Sequence, residues 1–284
     1  MTTPNDAPTT LVLGATGKTG RRVAAGLRTR GLPVRAASRT SAHRFDWDDR
    51  NTWEPALDGV RAAYLVDSQG PDAAVALRDF ARLAVERGVE RLVLLSARED
   101  GEAAAAMLAT EAAVRESGGA WTILRPCWFA QNFHESDFLA DPLREGELRL
   151  PTGEGPEPFV DLADLADVAI AALTEDGHQG QSYELSGPRL LTFGEAVGEI
   201  ARASGRDLRY VPVSVAEYVP HLTGRGYPVA VAELLGGLFE WVAQGRHAHL
   251  SDGVRRVLGR EPRDFSDYVR TTAESGAWRA NSPR

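Results

Sequence analysis

Three glycines spaced three apart, Gly14, Gly17 and Gly20, stand in the run Leu11-Val-Leu-Gly-Ala-Thr-Gly-Lys-Thr-Gly20, directly after a short apolar stretch. A strand that feeds a glycine turn and then a helix leaves backbone N–H groups and a helix N-terminus aimed at an anion, so this run constrains the fold more than any other. The triplet Gly17-Lys18-Thr19 also ends the phosphate loop of nucleotide triphosphatases. That loop needs four residues between its first glycine and the triplet, and the position it requires is Val12. A triphosphatase is therefore excluded. The run reads as a pyrophosphate site made by Gly14, Thr16, Gly17, Lys18, Thr19 and Gly20, with a purely structural turn as the alternative.

The neighbouring pattern favours the first reading. Thr10 to Leu13 predicts a strand, and Val23, Ala24 and Leu27 recur at helical spacing over 18–30 until Gly31. Further strands are expected at Val34 to Ala37, Arg61 to Val66, Arg91 to Ser96 and Trp121 to Arg125, with helices over 72–87 and 102–117 between them. Buried strands alternating with helices imply an α/β, doubly wound parallel sheet of Rossmann type, with ligands beyond the carboxyl ends of the strands. Residues 1–8 are polar and read as a flexible N-terminus, 9–155 as mainly the nucleotide-binding core, and 156–284 as a part that returns to the sheet and forms a smaller mixed lobe. Gly146 to Gly155 reads as a turn-rich connection leading into that part, and Pro158 to Asp161 as a return to the sheet edge. Helices are expected over 191–204, 229–243 and 251–258, and a short strand over Leu208 to Val213.

Composition removes several classes. A formal net charge of −8 argues against a nucleic-acid binder. The single cysteine, Cys127, excludes a disulfide framework and reads as a small buried residue, with a nucleophile as the alternative. No stretch approaches a membrane span and no signal-peptide order is seen, so a cytoplasmic protein is expected. His247 and His249 lack a third ligand, and Asp161, Asp164 and Asp167 fit helix capping better than metal binding, so no metal is expected. Lys18 is the only lysine among 32 basic residues, which gives any mechanism requiring a lysine one candidate.

The second strand ends in Ser38-Arg39, where an NAD-binding chain would place an acid for the ribose hydroxyls. Arginine suits the 2′-phosphate of NADP instead, since its planar fork binds phosphate bidentately, with a surface arginine unconnected to any ligand as the alternative for Arg39. Asp46 is open between capping the adenine edge and building a turn.

Gly14 to Gly20, the run Phe45-Asp-Trp-Asp-Asp49, Trp121-Thr-Ile-Leu-Arg-Pro126 with Trp128-Phe129 and Gln131-Asn132-Phe133, Val160-Asp161 with Asp164, and Tyr183 to Pro188 occur in this order. Together they resemble the NmrA-like family, atypical short-chain dehydrogenases/reductases, from about residue 10 to Trp278. The resemblance implies NADPH as cofactor, a substrate lobe closing over a cleft, and a role as a quinone reductase or as a nucleotide-sensing protein without turnover. Ser96, at the end of the central strand, and Pro126 join the cofactor candidates on the same ground, with a capping hydroxyl as the alternative for Ser96.

The usual Tyr-x-x-x-Lys pair of that superfamily is missing: no tyrosine has a lysine four residues on, and Met107 precedes Glu111 where many relatives carry His or Lys. The proton donor and any other catalytic residue are therefore unassigned. A quinone or conjugated carbonyl needs less acid catalysis than a simple ketone. Trp128, Phe129 and Phe133 then offer flat apolar faces and Gln131 and Asn132 hydrogen bonds to such a substrate, with packing between lobes as the alternative for each aromatic. A non-catalytic regulator that binds NADP(H), and a tailoring enzyme of specialised metabolism, are the other two readings. A homodimer or a regulatory protein partner is compatible with the apolar Leu234, Leu235, Leu238, Phe239 and Trp241, which otherwise pack the smaller lobe.

Overall fold

The structure is a computed structural model and describes residues 8–98 and 101–279. The loose N-terminus expected over residues 1–8 thus lies, apart from Pro8, outside the described residues.

The chain enters the first of two compact units through β1 (Thr9–Leu13), α1 (Lys18–Thr29), β2 (Val34–Ser38) and β3 (His43–Arg44). It completes a first pass with α2 (Trp53–Leu57), β4 (Val60–Leu65), α3 (Ala73–Glu86), β5 (Arg91–Leu95), α4 (Gly101–Arg115) and β6 (Ala120–Pro126). The second unit opens with α5 (Asn132–Glu135), α6 (Asp137–Glu145), β7 (Glu147–Leu150) and β8 (Pro156–Glu157). Next α7 (Leu162–Thr174) and β9 (Gln181–Leu185) return to the first unit. In the second unit follow β10 (Leu191–Thr192), α8 (Phe193–Ser204), β11 (Arg209–Pro212), α9 (Val215–Gly224) and α10 (Val229–Ala243). Finally α11 (Gly253–Leu258) belongs to the first unit and α12 (Phe265–Glu274) to the second.

In the first unit seven strands run in the order β3-β2-β1-β4-β5-β6-β9, and every neighbouring pair is parallel. Period-two alternation sends Leu11, Leu13, Ala63, Leu65, Leu92 and Leu94 into one cluster with residues of α3 and α4. The alternate residues Val12, Tyr64 and Val93 are equally buried, and burial pushes the Tyr64 phenol above its ordinary range. Helix α1 turns Val23, Ala24 and Leu27 inward, and α1 packs on α7. Gly26 permits that crossing, since a Cβ there would stand 2.5 Å from Ile170 Cδ1.

The second unit is built around aromatic rings. Phe133, Phe159, Phe193, Phe239, Phe265, Tyr218 and Trp278 share one buried cluster, and Trp278 Nε1 donates to the Phe133 carbonyl at 2.8 Å. Capping boxes at Thr192/Glu195 and Ser214/Glu217 start α8 and α9.

Three expectations are corrected here. The stretch Gly146 to Gly155 is not only turn: Glu147-Leu-Arg-Leu150 alternates polar and buried residues and pairs, as β7, with β11 in parallel. Pro158 to Asp161 does not reach the sheet edge, which β9 forms; Val160 instead bridges to Phe129, its amide donating to the Trp128 carbonyl at 2.9 Å. The division expected near residue 155 differs from the observed one, because the chain leaves the first unit after Pro126 and returns to it twice, at Leu162–Leu185 and Asp252–Arg260.

Candidate functional site

In the first unit the sheet order reverses between β1 and β4, the switch point at which open α/β sheets take ligands beyond their strand ends. The glycine turn lies there. Gly14 has φ +61°, a left-handed conformation that a side chain would strain. The Gly17 amide donates to the Gly14 carbonyl at 2.8 Å and closes the turn. Gly17 is then the N-cap of α1; no side chain among the described residues caps this end, and the first turn holds no acid. A Cβ on Gly20 would stand 2.3 Å from the Gly14 oxygen, so α1 approaches β1 as closely as it does only with glycine there. These features fit a dinucleotide pyrophosphate: the helix N-terminus is aimed out of the sheet, and Thr16 and Gly17 are exposed beside it while Lys18 is half-buried.

At the end of β2, Arg39 is exposed and Ser38 is buried. The Ser38 hydroxyl accepts from the Ser41 amide at 3.1 Å, which folds the chain back and presents Arg39 at the turn. Asp46 builds the turn that follows, accepting from the Asp48 amide at 3.3 Å and pairing with Arg44 at 3.7 Å. Its neighbours Phe45 and Trp47 pack with Trp53 and Phe80 as an edge-on aromatic group.

The carboxyl ends of β5 and β6 carry a polar network that sequence reasoning left unassembled. Glu111 of α4 is 1% exposed. Its Oε1 accepts from Ser96 Oγ at 2.8 Å and Arg125 Nε at 2.7 Å, and its Oε2 from Arg125 Nη2 at 2.5 Å and Arg115 Nη2 at 2.9 Å. Burial alone would raise the Glu111 pKa; the hydrogen bonds from Arg125 and Ser96 and the charges of both arginines carry it below the ordinary carboxylate range. Ser96 thus has a firm partner. Arg98, also buried, reaches Glu184 at 3.3 Å, and its amide donates to the Pro126 carbonyl at 3.1 Å. The visible signal for this network was the i, i+4 spacing of Glu111 and Arg115.

In the second unit the segment after Pro126 separates into two groups. Phe133, expected at a ligand ring, is 1% exposed and packs against Phe159, Phe193 and Phe265; it is core. Gln131, expected to offer a hydrogen bond to a substrate carbonyl, is buried and donates to Asp161 at 2.8 Å. Both are corrections with one cause: the chain turns into α5 at Asn132 and draws these side chains inward. Trp128 is half-buried, stacked on Phe239 at 5.0 Å, and keeps some exposure. Phe129 and Asn132 are half-buried, and Asn132 Oδ1 accepts from Ser136 at 3.0 Å.

The remaining candidates have structural partners. Cys127 is buried with its thiol directed at the Pro158 carbonyl, 2.8 Å away. Asp164 stands in the first turn of α7, where an acid complements the helix dipole, and Arg260 holds both Asp164 and Asp167, at 2.8 and 3.0 Å. Among the described residues no group of three or more His, Cys, Asp or Glu is placed to hold a metal, and no helix is long and apolar enough to cross a membrane.

Comparison with known proteins agrees with the glycine turn. The NAD(P)H-binding family matches residues 14–176. Over 276 residues the chain is 33% identical to the uncharacterized oxidoreductase YesF of Bacillus subtilis, covering 94% of this chain and 96% of that protein. It is 35% identical over 287 residues to a (4-alkanoyl-5-oxo-2,5-dihydrofuran-3-yl)methyl phosphate reductase of Streptomyces griseus, covering 94% and 99%. The NADPH-dependent quinone oxidoreductase QOR2 of Escherichia coli superposes with a TM-score of 0.77 at 23% identity, over 92% of this chain and 98% of that one, a likeness of fold. With a family match over more than half of its length and relatives above 30% identity along nearly all of it, the chain belongs to the NAD(P)H-binding family and is an NAD(P)H-dependent oxidoreductase.

Proposed function

We propose that this oxidoreductase uses NADPH to reduce a quinone or a conjugated carbonyl compound in the cytoplasm, without a tyrosine–lysine pair. The observation that carries the reading is the solitary lysine: Lys18 opens α1 at the glycine turn, so none is left to lower the pKa of a tyrosine acid. A conjugated acceptor suits such a site because the anion formed on reduction is delocalised and needs little acid catalysis. The substrate in the Streptomyces relative's name carries a ring double bond conjugated with carbonyl groups, the chemistry proposed here.

When bound, the cofactor supplies a hydride from its nicotinamide ring. The protein's part is binding and orientation. The amides of the glycine turn and the N-terminus of α1 hold the pyrophosphate, Lys18 adds a mobile positive charge, and Arg39 binds the 2′-phosphate. Trp128, Phe129 and Asn132 are the substrate-binding candidates that remain in the second unit, suited to a flat, aromatic or quinonoid molecule.

The test is NADPH oxidation across a panel of quinones and enones, run beside calorimetry of NADPH binding. Turnover on members of the panel is expected. Tight binding with no turnover on any acceptor overturns the reading and favours a nucleotide-sensing regulator, the role that a site lacking its proton donor would leave.

A further inference from the structure

Ser96 is a cofactor candidate at the end of the central strand, and its surroundings settle which way its hydroxyl can act. A carboxylate has room for about four hydrogen bonds, and Glu111 receives four, from Ser96, twice from Arg125, and from Arg115. The pull of these donors keeps Glu111 ionised at neutral pH, so it has no hydrogen to give. In the Ser96–Glu111 contact the serine therefore donates, and a serine has one hydrogen. The orientation is held from both sides: the Ser96 amide donates to the Leu124 carbonyl of β6 at 2.8 Å, and the Arg125 fork fixes the carboxylate. Arg115 Nη2 also reaches Ser182 Oγ at 3.3 Å, which ties β9 into the same lattice of bonds.

What remains on Ser96 Oγ is lone pairs. The residue stands one step past β5, at the carboxyl edge of the sheet and on the β4-β5-β6 side of the switch point. A dinucleotide held by its pyrophosphate at the switch point lays its two nucleoside halves over the two sides of the sheet. The adenine half belongs to the β2 side, where Arg39 stands, and the nicotinamide half to the β5 side. We infer that Ser96 is a hydrogen-bond acceptor for the carboxamide N–H₂ of the nicotinamide, with Glu111 as the positioning residue that commits its hydrogen elsewhere. The inference rests on the cofactor reading above and adds a direction to it. It also carries a consequence for the reaction: a hydroxyl so committed cannot itself donate to a developing oxyanion.

The test is a binding comparison that needs no turnover. NADPH, its thionicotinamide analogue and its 3-acetylpyridine analogue are titrated separately into the wild-type protein and followed by calorimetry; the first two carry N–H donors on the ring substituent and the third carries a methyl ketone. The wild type should bind the acetylpyridine analogue about tenfold more weakly than NADPH, the worth of one hydrogen bond, and the thionicotinamide analogue about as well as NADPH. Ser96→Ala should bring the acetylpyridine ratio near one, and Ser96→Thr, which keeps the hydroxyl, should preserve it. Equal binding of all three by the wild type, or a ratio that survives Ser96→Ala, overturns the assignment; the wild-type arm decides it even where the alanine variant does not fold. Failure of the cofactor reading looks different, as no binding of any of the three.

Discussion

The glycine turn of the first unit and the Cys127–Phe133 segment of the second are both short, both follow a strand in sequence, and both carried expectations of ligand contact. The turn works through its backbone: Gly14 at positive φ and Gly20 against the Gly14 oxygen are positions whose geometry is set by the absence of a side chain, and Gly17 is the N-cap of α1 between them. The segment works through side chains, and two of its candidates found their partners far along the chain, Phe133 among Phe159, Phe193 and Phe265, and Gln131 on Asp161. Backbone devices are local and keep their meaning in the folded protein, whereas an aromatic or an amide acquires its role only from what packs on it.

Substitutions can break this contrast, beginning with the largest effect. Phe133→Ala should destabilise the protein by about 3–5 kcal/mol, the cost of emptying a filled aromatic core, while NADPH affinity of the folded fraction stays unchanged. Urea unfolding monitored with a parallel binding titration measures both; an unchanged midpoint with a raised substrate KM would return Phe133 to the substrate side. Next in size, Arg39→Ala should weaken NADPH by about ten- to a hundredfold, equivalent to roughly 1.5–3 kcal/mol for a charged hydrogen bond, and leave NADH untouched. Equal losses for the two nucleotides would remove Arg39 from the 2′-phosphate.

A smaller effect concerns Glu111. Its folded pKa lies below the unfolded one, so its contribution to stability is fully present above the unfolded carboxylate value near about 4.3 and is lost as pH falls through the folded value. Chemical unfolding repeated between neutral and acid pH should show stability declining below that point, and Glu111→Gln should flatten the decline. An identical acid limb in the variant would mean that other carboxylates, such as Asp264 held low by Arg189, account for it. The smallest expected change is at Lys18: Lys18→Met should weaken NADPH by about 1 kcal/mol or less, since the helix terminus remains. Bound NADPH should slow acylation of the Lys18 amine but not of the N-terminus; equal rates with and without NADPH would show that the side chain takes no part.

The parallel sheet was legible because its strands are near-continuous apolar runs punctuated by glycines, and the positions of β1, α1, β2, β4, β5 and β6 follow that pattern closely. β7 was hidden by its length of four residues and by a partner, β11, some sixty residues on. α12 was missed although Asp264 caps it and Phe265, Tyr268 and Val269 give it a helical stripe; that signal is short and lies among charged residues. In the site, the turn could be read because its chemistry is contiguous. The Glu111 network could not, because Ser96, Arg115 and Arg125 meet one carboxylate only after three separate elements have packed.

The central claim is that the backbone of the glycine turn holds the dinucleotide, and Gly17→Val tests it most directly. Gly17 has φ −77° and ψ 174°, an extended conformation that valine adopts readily, and its Cβ would approach the Gly14 oxygen to 3.1 Å, a contact relieved by a small shift. Calorimetric titration of NADPH, paired with a thermal melt of the apo-protein, should show a cooperative unfolding transition close to that of the wild type and no measurable binding heat. A folded Gly17→Val protein that binds NADPH with wild-type affinity would contradict the account.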